Sequence, residues 1–239
     1  MSAGAARRRE AGTSTGRGTL SRGLILRRAI ELVEAEGVAA LTMRRLGQEL
    51  GVQAMSLYNH VANKADLLDG MTGTLLADIT LPDVTGMSWE DGLRASVHAF
   101  RGLAHTYPNL FPLVFERPLS APESLPPFEA GLAILRGGGF TAEQAVSAFH
   151  AIVAYAGGFA LGDISEFGRG RPQEALVSYD GLAADDLAAY PHIVEALPVF
   201  ASYPRDDAFA FGLEALIAGF RAQLAKPAPP ATSPEQGET

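Results

Sequence analysis

No cysteine occurs in this chain. That excludes disulfide staples, thiolate metal sites and sulfur nucleophiles together, and it fits a reducing compartment such as the cytoplasm. Lysine is almost as scarce: Lys64 and Lys226 stand against 17 arginines, a skew that reads as coding bias more than chemistry. No apolar run follows the charged start MSAGAARRREAGTSTGRG, because LILRRAIELVEAEG is amphipathic and broken by charge, so a signal peptide is not expected. Sustained alternation of apolar and polar residues is missing, which argues against sheet. The stretch 145–162 lacks full charges and sits at the lower length limit of a membrane span. Glu143 and Asp163 close its ends, His150 interrupts it, and no Lys or Arg anchors it, so a buried helix or subunit interface is the better reading and no membrane partner is expected.

What is present is a hydrophobic content of 47% in 239 residues, enough to fill a real core, and an uneven charge. Residues 1–64 carry ten basic and five acidic side chains, while 65–239 carry nine basic and 22 acidic, so the overall charge of -8 hides a front of +5 and a rear of -13. A basic front suits a polyanion, and an acidic rear would repel the same partner.

Start and stop signals predict an all-α chain of nine or ten helices. Residues 1–18 read as a flexible basic arm, 19–66 as a three-helix unit, 67–225 as a larger helical domain, and the Pro-rich 226–239 as a disordered tail. Gly37 is expected to end the first helix, Thr42 to cap the second and Gly51 to stop it. Asn63 with Asp66, Ser88 with Asp91, Ser120 with Glu123, and Thr141 with Gln144 have the spacing of capping boxes, and Asp206 is placed to cap the last helix. A long loop is expected from residue 165, with a short helix near Ala184 to Leu197.

One segment, LTMRRLGQELGVQAMSLYNHVANKADLL at 41–68, gathers chemistry of its own. Its apolar positions Leu46, Leu50, Val52, Leu57 and Val61, with small Gly47 at a helix crossing and Gly51 at a sharp turn, have the layout of a helix-turn-helix. Burying those five leaves Gln53, Ala54, Met55, Ser56, Tyr58, Asn59 and His60 outward, groups of a size and polarity that enter a major groove. Thr42, Arg44, Tyr58 and Lys64 flank them where phosphates would run. A solvated polar helix is the bland alternative.

The same segment, with AIELVEAEGVAALTMRRL before it, resembles the DNA-binding domain of tetracycline-repressor-type (TetR family) regulators. The likeness is carried by Gly37, Leu41-Thr42, Arg44, Leu46, Leu50-Gly51-Val52, Leu57-Tyr58, His60, Asn63-Lys64 and Leu67-Leu68. It implies that Arg44, Gln53, Ala54, Met55 and Ser56 approach bases while Thr42, Tyr58, His60 and Lys64 hold the backbone of a double-stranded operator. Ala54 and Met55 stand where the family's founding member has Gln and Pro, so its operator is not carried over. Arg7 to Arg9 and Arg17 are within reach of a neighbouring minor groove, although a solvated tail is the plainer reading.

Further on, SWEDGLRASVHAF, HTYPNLFPLVFERP and GGGFTAEQAVSAFHAIVAYAGGFALGD resemble the tetracycline-repressor-like C-terminal subgroup more weakly. This implies a ligand-binding and dimerisation domain in which helices over 141–163 and 206–224 build a homodimer through Ile152, Val153, Leu216, Ile217 and Phe220. It also places Ser96, Phe100, Arg117 and Pro118 at an effector site. The metal-chelating His of the family is Leu113 here, and its ligand-binding Gln falls near Gly131, so a magnesium-bound drug is disfavoured. An apolar or aromatic effector fits better beside Phe100, Tyr107, Phe111, Phe115, Phe128 and Phe149.

An enzyme is not expected. His98 and His105 could share a helix face but lack a carboxylate partner in metalloprotease spacing, and His150 reads as a hydrogen-bonded core residue. No metal or cofactor is expected. The resulting expectation is a cytoplasmic regulator, a repressor, that binds a palindromic operator as a homodimer and is released by a small molecule. The alternative is a constitutive DNA-binding dimer without a sensor, which a solid core in residues 90–165 would favour.

Overall fold

The computed structural model describes residues 20–117, 121–165, 187, 189–200 and 202–225. Among them are ten α-helices and no strand: α1 (Arg22–Glu36), α2 (Met43–Leu50), α3 (Ala54–Leu57), α4 (Lys64–Ala77), α5 (Trp89–Thr106), α6 (Leu113–Glu116), α7 (Leu125–Gly137), α8 (Ala142–Ile164), α9 (Pro191–Phe200) and α10 (Arg205–Leu224). The expected basic arm, Ser120, Pro118, most of the loop after residue 165 and the tail lie outside the described residues.

Local chemistry sets the early helices. Ser21, Thr42 and Asn63 each accept a hydrogen bond from a backbone N–H three residues on, at 3.3, 3.1 and 3.0 Å, and each such cap contributes about 1 kcal/mol. Gly51 ends α2 at φ 66°, a left-handed conformation that glycine adopts without the Cβ penalty. The box expected at Asn63 closes differently: the Asp66 carboxylate accepts from Ala62 N at 2.7 Å and from Arg22 at 2.7 and 3.0 Å. Its reach to Arg22 ties the start of α1 to the start of α4. Those bonds, with Arg22 first, hold the Asp66 carboxyl below its ordinary value. The Thr141 box forms as expected, with both reciprocal bonds present. Asp206 does not cap α10: Pro204 occupies that position and Asp206 lies in the first turn, where its charge favours the helix dipole. Of the short helix expected near Ala184 to Leu197, the described residues show α9 from Pro191 and a helical Leu187, and 184–186 and 188 lie outside them.

Two apolar clusters form the interior. One joins Ile25, Leu26, Ala29, Leu46, Leu57, Leu67 and Met71 of the first four helices to Leu103, Leu110, Phe111, Val114, Ala160 and Ile164. The front helices are therefore seated on the rear without a break, and the boundary expected between 66 and 67 falls inside α4. The second cluster packs α5, α7, α8 and α10 through Leu93, Leu135, Ile152, Phe209 and Ile217.

Candidate nucleic-acid interface and ligand cavity

α2 and α3 cross at Gly47. A methyl group there would stand 2.9 Å from the Val52 carbonyl oxygen and 3.2 Å from Ala54 N, both backbone atoms that no rotamer change can move aside. Leu46, Leu57 and Val61 are buried beneath the crossing, with Leu50 and Val52 partly so. The outer side carries the expected residues: Thr42, Arg44, Gln53, Met55, Tyr58 and Lys64 are exposed, and Ala54, Ser56 and His60 are half-buried. Met55 is 72% exposed on the same side. Arg44 makes no ion pair among the described residues, whereas Arg45 is held by Glu36 at 2.6 Å and by Glu49. Of the two neighbouring arginines only Arg44 keeps its charge available.

Behind this unit lies a cavity of about 390 Å³, walled by residues of α4, α5, α6, α7, α8 and the chain after α4. Ser96, Phe100, Phe115, Phe128 and Phe149, five of the nine residues expected at or beside an effector site, line it together with Val97 and Val153. Arg117 does not join the wall: its Nε donates to Asp69 at 2.6 Å and its second amino group to the Ala65 carbonyl at 3.1 Å, because the guanidinium finds a carboxylate on α4. Pro118 lies outside the described residues. Phe111 is fully buried in the core and Tyr107 donates to Asp78 at 2.9 Å, so neither reaches the cavity.

Among the described residues, only Ser96 and His150 interrupt the apolar lining. The Ser96 hydroxyl donates to the Gly92 carbonyl at 2.9 Å, which leaves its lone pairs free to accept. His150, expected in the core, is instead exposed on the rim. Among the described residues no cluster of His, Asp and Glu could hold a metal.

The segment between cavity and front unit is held from both sides. Phe100, Phe111 and Phe115 form a ring cluster with centroids 5.4 to 6.3 Å apart, so the cavity wall presses on α6 and the turn before it. That turn is fastened to α1, where the Glu34 carboxylate accepts from Asn109 N and Leu110 N at 3.2 and 2.8 Å and the Asn109 amide donates to the Glu34 carbonyl at 2.9 Å. The far end of α6 is fastened to α4 by Arg117 and Asp69.

Of the five residues expected at a subunit interface, Ile152 and Ile217 are 3% and 1% exposed inside this chain's own core, and Val153, Leu216 and Phe220 are half-buried against it. Both helices are apolar on more than one side; Ile152 and Ile217 turn into this chain's own core, while Val153, Leu216 and Phe220 keep part of their surface open. The faces left open carry Val146, Ala154 and Gly158 on α8, and Phe211, Ala215 and Ala218 on α10, with Phe211 74% exposed. α8 is long and apolar enough to cross a membrane by length and composition, with a mean hydropathy of 1.5 and a third of that window buried.

A network absent from the sequence reading joins α5, α8 and α10. Asp163, 5% exposed, accepts from Arg101 Nε at 2.6 Å and Arg205 Nε at 2.7 Å, while Arg101 also pairs with Asp206 at 2.8 Å. Burial pushes the Asp163 carboxyl up, but the two guanidinium bonds outweigh it and the net direction is down. The partners are 62 and 42 residues apart in sequence, and no local pattern announces them.

Residues 25–71 match the family described as bacterial regulatory proteins, tetR family, and 81–224 match the tetracyclin repressor-like C-terminal domain. Tetracycline repressor protein class D of Escherichia coli is 32% identical over 209 residues, covering 86% of this chain and 91% of that protein. The Streptomyces coelicolor TetR family protein ActR, solved in complex with actinorhodin, superposes with a TM-score of 0.75 at 26% identity over 87% of this chain and 100% of that one. A TetR variant from Acinetobacter baumannii, solved with minocycline, gives 0.62 at 26% identity over 87% and 100%. With both halves matched in order, the chain belongs to the TetR family of transcriptional regulators, an N-terminal DNA-binding helix-turn-helix followed by a tetracycline-repressor-like C-terminal domain.

Proposed function

We propose that this protein is a homodimeric repressor that reads a palindromic operator and leaves it when a neutral, largely aromatic small molecule enters the cavity. The observation that carries the reading is the cavity itself, an apolar chamber whose α6 wall is fastened directly to α1 and α4. A ligand that needs more room than about 390 Å³ displaces α6 and with it the two helices that orient the recognition unit. It shifts the equilibrium only by its preference for the displaced state.

The lining selects the ligand class. Among the described wall residues there is no Lys, Arg, Asp or Glu, so a buried carboxylate, phosphate or metal chelate would lack a counter-charge. Ser96 can accept one hydrogen bond and His150 offers a polar group at the rim, which fits a hydroxylated polycyclic compound. ActR solved with actinorhodin and a TetR variant solved with minocycline support a small-molecule occupant for a chamber in this position. The exposed rows of α8 and α10 supply the apolar area for a two-fold contact, and such a dimer sets its recognition helices about one DNA turn or a multiple apart.

Selection of bound duplexes from a random pool tests the operator half of the proposal. A palindrome with half-sites spaced by one or two turns is the expected result. A single asymmetric site, or no common sequence, would remove the dimeric reader.

A further inference from the structure

We propose that Asn59 is the central base reader of the recognition unit and that it selects adenine. The proposal rests on the reading of α2 and α3 as a sequence reader. The helical turn of α3 continues past Leu57: Tyr58 is in the right-handed helical region, and Val61 N donates to the Leu57 carbonyl at 3.0 Å, a full helical step. At about 100° per residue, buried Leu57 and Val61 mark the inward direction, and Asn59, midway between them in sequence, projects to the opposite side. Met55, one turn earlier, lies about 40° away on the same outward face. Tyr58 and His60 fall roughly 100° to either side of Asn59, toward the groove walls. Asn59 therefore points deepest into a groove that this helix enters.

Side-chain commitments narrow the choice further. The chain has three asparagines. Asn63 caps α4 and Asn109 clamps α1 to the turn before α6, whereas Asn59 is exposed and its side chain takes part in none of the side-chain hydrogen bonds among the described residues. A free carboxamide presents one donor and one acceptor side by side, matching the N6 amino group and N7 of adenine, while guanine offers two acceptors there. Exposed Met55 beside it supplies an apolar surface for a thymine methyl group. The pair reads an A·T-containing step, and because neither side chain is charged, the reading adds nothing to the salt dependence.

The test selects duplexes from a random pool with the full-length protein and with Asn59→Ala, then measures affinity for the selected duplex and its single-base variants at two salt concentrations. The expected result is that one symmetric adenine position loses its preference by roughly five- to a hundredfold, while the other positions and the salt slope are retained. Equal weakening across all sequences would make Asn59 a backbone contact and overturn the proposal, as would an unchanged preference or a lowered melting temperature. If the unaltered protein selects no sequence, the reader itself fails, and that outcome is visible before the variant is compared.

Discussion

Replacing Gly47 by alanine tests the geometry on which the recognition unit depends. The added carbon would lie 2.9 Å from Val52 O, 3.2 Å from Ala54 N and 3.4 Å from Ala54 Cα. Relief requires the turn into α3 to shift by about half an ångström, and overpacking of this kind costs about 1–3 kcal/mol. Alanine's better helix propensity offsets about 1 kcal/mol of that, so the net is a loss of up to about 2 kcal/mol together with a displaced α3. Gly102→Ala is the control, since an added methyl in α5 meets no heavy atom within 4 Å and leaves only the propensity gain. Urea melts should move in opposite directions for the two variants, and Gly47→Ala alone should weaken DNA binding. A Gly47→Ala protein that is stabilised like Gly102→Ala and binds DNA normally would refute the close crossing.

Three further outcomes follow from the same structure. Lys64→Ala should weaken binding to all duplexes alike and flatten the salt dependence by about one unit of slope; an unchanged slope removes Lys64 from the phosphate contacts. Phe211→Asp places a charge on the open face of α10 and should shift the sedimenting species from dimer to monomer, with a dimer of unaltered strength arguing for another interface. Asp163→Asn leaves Arg101 and Arg205 without their shared carboxylate and should cost about 3–5 kcal/mol near neutral pH. Because the folded carboxyl is held below its ordinary value of 3.8, its contribution is full above that value and is lost as pH falls through the lower folded one. The gap between Asp163→Asn and the unaltered protein should therefore close in acid melts; a gap independent of pH would show that the network is not ionic.

The front of the molecule was legible because its determinants are local. Thr42, Gly51 and Asn63 act within a turn of themselves, and Gly47 is read from the crossing its neighbours require. The cavity was partly legible, since Phe100, Phe115 and Phe149 are aromatic residues within the three segments that carry the C-terminal resemblance. Arg117 was not, because its choice of Asp69 over the cavity depends on α4, 48 residues away. The open face of α8 was hidden for a different reason: a helix apolar on several sides has no periodicity that tells its own core from a partner's, so Ile152 reads the same as Ala154. His150 failed similarly, as an imidazole among apolar residues looks buried until the cavity beside it is known.

The central claim, that an apolar cavity controls operator binding, is tested most directly by release of a labelled operator duplex. Hydroxylated anthraquinones and naphthoquinones would be compared with magnesium-doxycycline on the unaltered protein and on Ser96→Phe, which fills the cavity without removing a long-range bond. Release by one or more of the quinones, none by the metal chelate, and loss of the response in Ser96→Phe are the expected results. Release by magnesium-doxycycline alone, or a quinone response that survives in Ser96→Phe, would contradict the claim.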